Sequence, residues 1–294
     1  MITTTQDRAT QLRALLEDHT VVLPGAINAL SARLIERMGF EAAYLSGAVL
    51  ANSVGGRPDV GLMTLTESEQ HTRHIANTCT LPLIVDADTG FGEVENTART
   101  VQTLAAAGAS GIHLEDQVFP KRCGHLAGKE LVPAEEFCAK IAAAAAAKLS
   151  GDFLLIARTD ARGVIGYDEA VRRAQLYLEA GADAIFPEAL TSEAEFRRFA
   201  EDVQCPLLAN MTEFGTSPSF TVSELSDMGY RLVIFPVTLQ RAAMHAMERT
   251  LTEIKGAGTP RACLDSMQTR QELYDLLGYE ATVGTKSEST RQDP

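Results

Sequence analysis

The sequence predicts a (β/α)8 barrel of the TIM-barrel type, with one helix before the barrel and further helices after it. Eight short apolar runs alternate with helical stretches along the 294 residues. The runs are almost continuous in Val, Ile, Leu and Ala, which is typical of parallel strands buried on both faces. Together they extend over about 220 residues, the size expected of such a barrel. An open, doubly wound sheet is the alternative, but no GxGxxG motif follows the first run to favour it.

The eight predicted strands take up residues 21–26, 42–47, 82–88, 111–116, 153–160, 184–189, 206–212 and 232–237. Helices are predicted between them at residues 97–107, 135–149 and 168–180. The first and last of these end at Gly108 and Gly181, and glycine commonly follows the last turn of a helix. A helix is predicted over residues 1–20, and more helices over residues 240–280. Residues 1–283 are therefore expected to form a single domain, followed by a disordered polar tail over residues 284–294.

The composition disfavours several functions. The net charge of −13 argues against nucleic acid as a partner, because nucleic-acid-binding proteins present a basic surface. No apolar run approaches the roughly 20 residues of a membrane-spanning helix, and the polar N-terminus lacks the pattern of a signal peptide. We therefore expect a cytoplasmic protein without a membrane partner. The cysteines are odd in number and widely spaced, which argues against a disulfide framework and against zinc: Cys79, Cys123, Cys138, Cys205 and Cys263.

Polar side chains concentrate where the predicted strands end. In a (β/α)8 barrel, the carboxyl ends of the strands and the loops after them form the active site. The amino ends of the same strands carry almost no charge, so the asymmetry predicts an enzyme. The alternative is that polar residues only mark where strands give way to loops. The polar ends are Ser46-Gly47, Asp86 and Asp88, His113 to Asp116, Arg158 to Asp160, Glu188, and Asn210 to Glu213.

A cluster of carboxylates is predicted at this face. Asp86 and Asp88 are two residues apart, so both side chains leave the same face of the third strand. Two carboxylates held this close repel each other unless a cation joins them or one is protonated. With Glu115, and with Asp59 in the loop GGRPDVG, they form an oxygen-only set that suits Mg²⁺ or Mn²⁺. A solvated acidic rim is the alternative interpretation.

The loop after the fourth strand contains a thiol among cationic side chains, in the order Lys121-Arg122-Cys123-Gly124-His125. Nearby positive charges stabilise a thiolate and lower the pKa of a cysteine from its usual value of about 8.5. A thiol tuned in this way can exchange a proton near neutral pH or act as a nucleophile. An ordinary cysteine in a basic surface loop is the alternative.

Several motifs resemble those of the isocitrate lyase and phosphoenolpyruvate mutase superfamily, from about Asp7 to Tyr279. They are VDADTGFG, GIHLEDQ followed by PKRCGH, ARTDA, FPEA, LANMTEFG and QTRQELY. Within the superfamily the resemblance is to the branch that cleaves 2-methylisocitrate to pyruvate and succinate during propionate breakdown. The resemblance implies a Mg²⁺-dependent (β/α)8 barrel whose eighth helix is exchanged between subunits of a homotetramer.

The same resemblance implies roles for individual residues. Mg²⁺ is expected at Asp86 and Asp88, with Asp59 and Glu115 in its water shell. Three arginines suit a tricarboxylate substrate, because guanidinium groups bind carboxylates bidentately. Ala48 departs from the pattern, since relatives commonly carry a run of glycines there. The expected substrate contacts are Ser46, Gly47, Ala48, Cys123, Gly124, Arg158, Glu188, Asn210, Met211, Thr212, Arg241 and Arg270.

The expected reaction is a retro-aldol type of cleavage. Tyr44 is a candidate base for the substrate hydroxyl, and Lys121, Arg122 and His125 are expected to stabilise the developing anion. Cys123 would then protonate the carbanion carbon, as a general acid and not as a covalent nucleophile. The alternatives are a lyase for 2,3-dimethylmalate or isocitrate, and a non-catalytic barrel that binds a carboxylate metabolite.

Overall fold

The computed structural model describes residues 5–126 and 128–279 of the chain, and the predicted tail at 284–294 lies outside them. All eight predicted strands are present, each shorter than predicted. They are β1 Val21–Pro24, β2 Ala43–Leu45, β3 Leu83–Asp86, β4 Gly111–Glu115, β5 Leu154–Thr159, β6 Ala184–Pro187, β7 Leu208–Asn210 and β8 Leu232–Phe235.

Helices lie between successive strands, as the alternating pattern predicts. They are α1 Thr5–Asp18, α2 Ala29–Arg37, α3 Gly47–Ser53, α4 Leu65–Ala76, α5 Val94–Ala107, α6 Ala134–Ala146, α7 Ala161–Val164, α8 Tyr167–Glu179, α9 Glu193–Asp202, α10 Val222–Asp227, α11 Thr238–Ala257 and α12 Arg270–Leu277. A 3-10 helix, Arg261–Ser266, precedes the last of these. The predicted helices coincide with α5, α6 and α8, and α5 ends at Gly108, whose φ of 111° is left-handed.

The strands pair in parallel, which confirms the α/β class with parallel sheets. One sheet has the order β1-β8-β7 and the other β2-β3-β4-β5-β6. Single parallel bridges join Gly25 to Tyr44 and Ile185 to Leu207, next to the edges of the two sheets. The register sets Asp86 of β3 opposite His113 of β4. The pairing of β4 with β5 sets Glu115 opposite Arg158, so the polar ends of neighbouring strands lie side by side.

Alternate strand residues enter two different apolar clusters. Leu45, Val85 and Ile112 belong to a large cluster that includes helix residues. Tyr44 and Ile84, one residue earlier in their strands, belong to a second cluster that also contains Leu12 and Leu16 of α1. This division follows from the period of two along a strand. Both faces of the strands are therefore buried, in agreement with their continuous apolar composition.

The described residues fall into two compact units, one up to Met247 and one from Glu248. The boundary lies within α11. The second unit contains the rest of α11, the 3-10 helix and α12, whose N-terminus is capped by Thr269 and Glu272. In the part of the chain that the structure describes, no helix combines the length and apolar character needed to cross a membrane.

The close approach of β1 to the residues after β8 requires a glycine. Gly25 N donates to Phe235 O at 3.0 Å. A Cβ at Gly25 would lie 2.0 Å from the carbonyl oxygen of Pro236, which is backbone and has little room to move.

We predict that Gly25→Ala destabilises the protein, since overpacking typically costs about 1–3 kcal/mol. Gly151→Ala is the matched control, because a Cβ there meets no atom within 4 Å. The control should be neutral or more stable by about 0.4–1 kcal/mol. Urea unfolding midpoints of the three proteins measure the difference, and equal midpoints for Gly25→Ala and the parent would contradict the prediction.

Candidate active site

The structure brings the predicted carboxylates together around an ammonium group. Asp86, Asp88 and Glu115 are buried at the ends of β3 and β4. Lys121 Nζ lies 2.5 Å from Asp59 Oδ1 and 2.9 Å from Asp88 Oδ1. Lys121 was expected to act on the thiol and the developing anion, but its ion-pair partners are these acids. We call Asp59, Asp86, Asp88 and Glu115 the acid cluster.

Members of the acid cluster have opposite pKa shifts. Burial alone would raise the pKa of Asp86, but attraction to His113, Lys121 and Arg158 outweighs it and lowers the pKa to about 2. Burial raises the pKa of Asp88 to about 6, because repulsion from neighbouring carboxylates adds to it and offsets the attraction of Lys121. Burial likewise raises the pKa of Glu115 well above its usual range. The cluster is therefore short of positive charge.

The donor set of the acid cluster fits a hydrated Mg²⁺. No three of the described His, Cys, Asp and Glu side chains converge closely enough to hold a metal by themselves. Mg²⁺ commonly needs only one or two carboxylates, since it keeps several waters. Glu115 Oε1 is buried without a hydrogen-bond partner among the described residues. A Cβ at Gly47 would lie 3.0 Å from Asp86 Oδ2 and 3.2 Å from Asp88 Oδ1. Because residue 47 is a glycine, no side chain takes up the space beside these two carboxylates.

Tyr44 is held as a protonated phenol beside the acid cluster. Its hydroxyl lies 2.7 Å from His113 Nε2 and donates to Asp86 Oδ2 at 3.4 Å. Burial and the charge of Asp86 raise the pKa of Tyr44 well above its usual range. A phenol of this kind retains its proton at neutral pH, which suits a hydrogen-bond donor better than the base that we expected. Sequence reasoning assigned no role to His113, although it lies two residues before Glu115, on the same strand face.

The loop that carries the thiol is fixed at its base. We call the described residues 117–126 and 128–131 the thiol loop. An antiparallel bridge pairs Gln117 with Leu131. The Gln117 side chain donates through Nε2 to Arg122 O and accepts from Arg122 N, both at 2.9 Å. Arg122 is thus held through its backbone while its side chain is exposed, and Cys123 is half-buried. The buried Gln117 is a further residue that sequence reasoning missed.

Gly124 places the backbone next to Cys123 directly against two charged side chains. A Cβ at Gly124 would lie 2.3 Å from Arg158 Nη2 and 2.8 Å from Glu188 Oε2. Only a glycine fits this approach without displacing them. The thiol loop and the ends of β5 and β6 therefore meet at Gly124.

His125 links the thiol loop to the segment after β7. Its Nδ1 accepts from Thr216 N at 3.1 Å, which assigns the ring hydrogen of a neutral imidazole to Nε2. His125 Nε2 lies 3.2 Å from Glu188 Oε1. Asn210 Nδ2 donates to Glu188 Oε2 at 3.2 Å. A Cβ at Gly215 would lie 2.8 Å from His125 Nδ1, so this second glycine permits the contact.

The guanidinium of Arg158 is already occupied by carboxylates of the protein. Its Nε and Nη2 donate to Asp160 at 3.0 and 3.1 Å. Its Nη1 lies 3.1 Å from Glu115 Oε2. The guanidinium carbon also stands 5.1 Å from the ring centroid of the buried Phe186. The bidentate hold expected for a substrate carboxylate is here made to Asp160, so Arg158 organises the acids of the site.

Sequence reasoning missed Lys129 and placed Asp116 at the polar end of a strand without a role, and both are buried. Lys129 Nζ donates to the carbonyl of Gly124 and, at 2.7 Å, to Asp160 Oδ1. Asp116 accepts from Asp160 N at 2.9 Å and from the Tyr177 hydroxyl at 2.8 Å. Asp116 therefore fixes Asp160, and Asp160 in turn holds both Arg158 and Lys129.

The predicted contacts near β2 and β7 have local partners. The Ser46 side chain caps α3 by accepting from Val49 N at 3.5 Å. Ala48 lies in the first turn of the same helix, half-buried. Met211 is buried, and its sulfur accepts from Phe220 N at 3.4 Å.

Two predicted arginines belong to the C-terminal helices. Arg241 of α11 donates through Nη1 to Thr212 Oγ1 at 3.2 Å and to Glu213 Oε2 at 2.6 Å. This contact brings Thr212 and Arg241 together after β7. Arg270 is the first residue of α12, in the second unit, and it is exposed.

Comparison with known proteins identifies the family. The model described as phosphoenolpyruvate phosphomutase matches residues 12–255. The chain belongs to this family. A 2-methylisocitrate lyase of Aeropyrum pernix is 54% identical over 284 residues, which cover 94% of this chain and 91% of that protein. The resemblance given by the sequence motifs is confirmed.

Two solved structures of the family superimpose closely on the chain. A 2,3-dimethylmalate lyase is 39% identical with a TM-score of 0.88, over 95% of this chain and 93% of that one. A phosphonopyruvate hydrolase, solved in complex with oxalate and Mg²⁺, is 34% identical with a TM-score of 0.83. The match covers 92% of this chain and 95% of that one.

We predict that Lys129→Met loosens the thiol loop, because it removes the donor shared by Gly124 O and Asp160. A charge-assisted hydrogen bond contributes about 1.5–3 kcal/mol, so protection of loop amides from hydrogen exchange should fall by about tenfold or more. Lys148→Met is the matched control, since Lys148 pairs with Asp183 outside the site. Unchanged protection of residues 117–131 in Lys129→Met would rule out this role.

Proposed function

We propose that the chain is a cytoplasmic carbon–carbon lyase that cleaves 2-methylisocitrate to pyruvate and succinate in the methylcitrate cycle of propionate breakdown. The observation that carries the proposal is the contact of Gly124, next to Cys123, with Arg158 and Glu188. It brings a thiol-bearing loop and a Mg²⁺-compatible acid cluster to one site. The 54% identity to a 2-methylisocitrate lyase supports the choice of substrate.

The acid cluster defines where the substrate would bind. Asp86 and Asp88 would hold Mg²⁺, or Mn²⁺, with Asp59 and Glu115 in its water shell. The metal when bound supplies a Lewis acid for the hydroxyl and adjacent carboxylate of the substrate. Lys121 keeps two of the four acids compensated by its ion pairs. The phenol of Tyr44 orients His113 and Asp86, and we assign it this role in place of the base.

The thiol loop would complete the reaction. The substrate hydroxyl would lose its proton to a carboxylate of the acid cluster as the carbon–carbon bond breaks, so that pyruvate leaves as the ketone and the electron pair of that bond remains on the succinate portion. Cys123 would donate its proton to that carbon as the general acid. The loop reaches Glu188 through His125, and it reaches Asp160 through Lys129. These contacts would hold the thiol at one place above the acid cluster while water is excluded.

We also propose that the eight strands close into a (β/α)8 barrel and that residues 1–283 act as one domain that exchanges its C-terminal helix within a homotetramer. The two single bridges between the sheets support closure. On α11, Met244, Met247, Leu251 and Ile254 are all exposed, and their spacing of three and four residues forms one apolar stripe. No residue of α11 is buried, so this stripe is available to a second subunit.

The proposed function predicts a substrate order and a metal requirement. Oxo-acid release should be fastest from 2-methylisocitrate, by about tenfold or more in kcat/KM over isocitrate, because the methyl group that isocitrate lacks is worth about 1–3 kcal/mol in an apolar pocket. Release from 2,3-dimethylmalate should also be slower, because this substrate lacks the third carboxylate that an arginine would bind. Chelation with EDTA should abolish release, and Mg²⁺ should restore it. Preference for 2,3-dimethylmalate would transfer the assignment to that substrate. Mg²⁺-dependent binding without release from any of the three would instead indicate a carboxylate sensor.

Cys123→Ser tests the proton donor separately. A serine hydroxyl is a much weaker acid, so kcat should fall by about 100-fold or more while KM changes little. Cys138→Ser on α6 is the matched control, because the Cys138 sulfur contacts only the Leu176 carbonyl by hydrogen bond among the described residues. The control should retain kcat within about twofold of the parent. Near-normal turnover of Cys123→Ser, with Mg²⁺ binding intact, would contradict the role.

A further inference from the structure

A cavity of about 630 Å³ lies beside the active site and is lined by other residues. Its walls come from residues 61–66, from the segment between β3 and α5, from Asn96 and Arg99 of α5, from the first residues of the thiol loop, and from Val132 and α6. None of the acid cluster, Cys123, Arg158 or Glu188 lines it. The cavity is therefore separate from the site at which cleavage is proposed.

One wall of the cavity contains a buried ammonium that has no carboxylate partner among the residues that the structure describes. Lys140 of α6 is only 6% exposed. Its hydrogen bond among the described residues is a long one, from Nζ to the Thr89 carbonyl at 3.4 Å. Lysine is almost never buried unless it is paired, and its ammonium has three donors to satisfy. This unsatisfied charge calls for an anionic group in the cavity.

The other residues that line the cavity indicate that the rest of such an anion is apolar. Leu62, Val118 and Phe119 line the cavity and are 50%, 37% and 63% exposed, which is unusual for large apolar side chains gathered in one concave place. Three other charged residues, Glu93, Arg99 and Glu136, also line it but are exposed, so they leave the buried end to Lys140. A carboxylate at Lys140 with an apolar chain toward Phe119 satisfies both features.

We propose that this cavity binds a small organic carboxylate with an apolar body, as a regulatory site. Lys140 holds the carbonyl of Thr89, which directly follows Asp88 of the acid cluster. Gln117 also lines the cavity, and its side chain fixes the backbone of Arg122 in the thiol loop. A ligand on Lys140 thus touches the supports of both the acid cluster and the thiol loop. The inference concerns binding alone and stands whichever reaction the main site performs.

The test compares butanoate with butanamide, which has a similar shape but no charge, by NMR titration of the intact protein. The parent should bind butanoate about tenfold or more tightly than butanamide, because a charge-assisted hydrogen bond exceeds a neutral one. Lys140→Met should lose this preference. Lys148→Met should keep it, since Lys148 already pairs with Asp183.

Lys140→Gln provides a second variant, because it removes the charge but keeps an N–H for the Thr89 carbonyl. It should lose butanoate binding to the same degree as Lys140→Met. Unfolding midpoints of both variants should equal or exceed that of the parent, since an unpaired buried charge is removed. Butanoate binding that is absent from the parent, or that persists unchanged in Lys140→Gln, would overturn the proposal.

Discussion

The imbalance of buried charge at the carboxyl ends of the strands governs the rest of the site. Besides Asp116, which pairs with the buried Arg173, five buried carboxylates meet three buried cations there: Asp86, Asp88, Glu115, Asp160 and Glu188 against Lys121, Lys129 and Arg158. A carboxylate transferred from water without compensation is costly. Lys121 and Arg158 are therefore shared between acids, while Lys129 pairs with Asp160 alone among the described acids. Arg158, for example, contacts Asp160, Glu115 and Glu188 at once. The remaining deficit is about the charge that one divalent ion supplies, and a substrate with several carboxylates would meet strong repulsion without it.

The same imbalance couples the thiol loop to the strands. Two of the three cations, Lys121 and Lys129, belong to the loop, and their partners belong to the acid cluster and to the end of β5. Displacing the loop would leave Asp88 and Asp160 with fewer compensating charges, so the acids favour the loop position seen here. The ion pairs of Lys121 and Lys129, which lie on either side of Cys123 in the sequence, thus hold the thiol in place. Gln117 fixes the backbone of Arg122 between these two lysines.

Much of the fold follows from the sequence, and less of the site does. The apolar runs predicted the position of every strand, because their composition is typical of strands that are buried on both faces. The acids Asp86 and Asp88 were recognisable from their spacing alone. The ion-pair partners of Lys121 could not be recognised in this way, since Lys121 contacts Asp59 and Asp88 and not its neighbours in the loop. Lys129 meets Asp160 across 31 residues, a contact that depends on strand register and loop path together. Asp116 and His113 lie at the end of the same strand, β4. Composition alone cannot distinguish a residue that holds the site in place from one that takes part in the reaction.

Glycines mark the points at which the backbone approaches the charged side chains of this site most closely. Gly47 leaves room beside Asp86 and Asp88, and Gly124 leaves room beside Arg158 and Glu188. Gly151, by contrast, has open space around it, although the sequence alone cannot distinguish the three. Ala48 stands one residue beyond the close approach at Gly47 and is half-buried. The backbone contact with the acid cluster is the hydrogen bond from Gly47 N to Asp86 Oδ2 at 3.0 Å, so a side chain at position 48 leaves that contact intact.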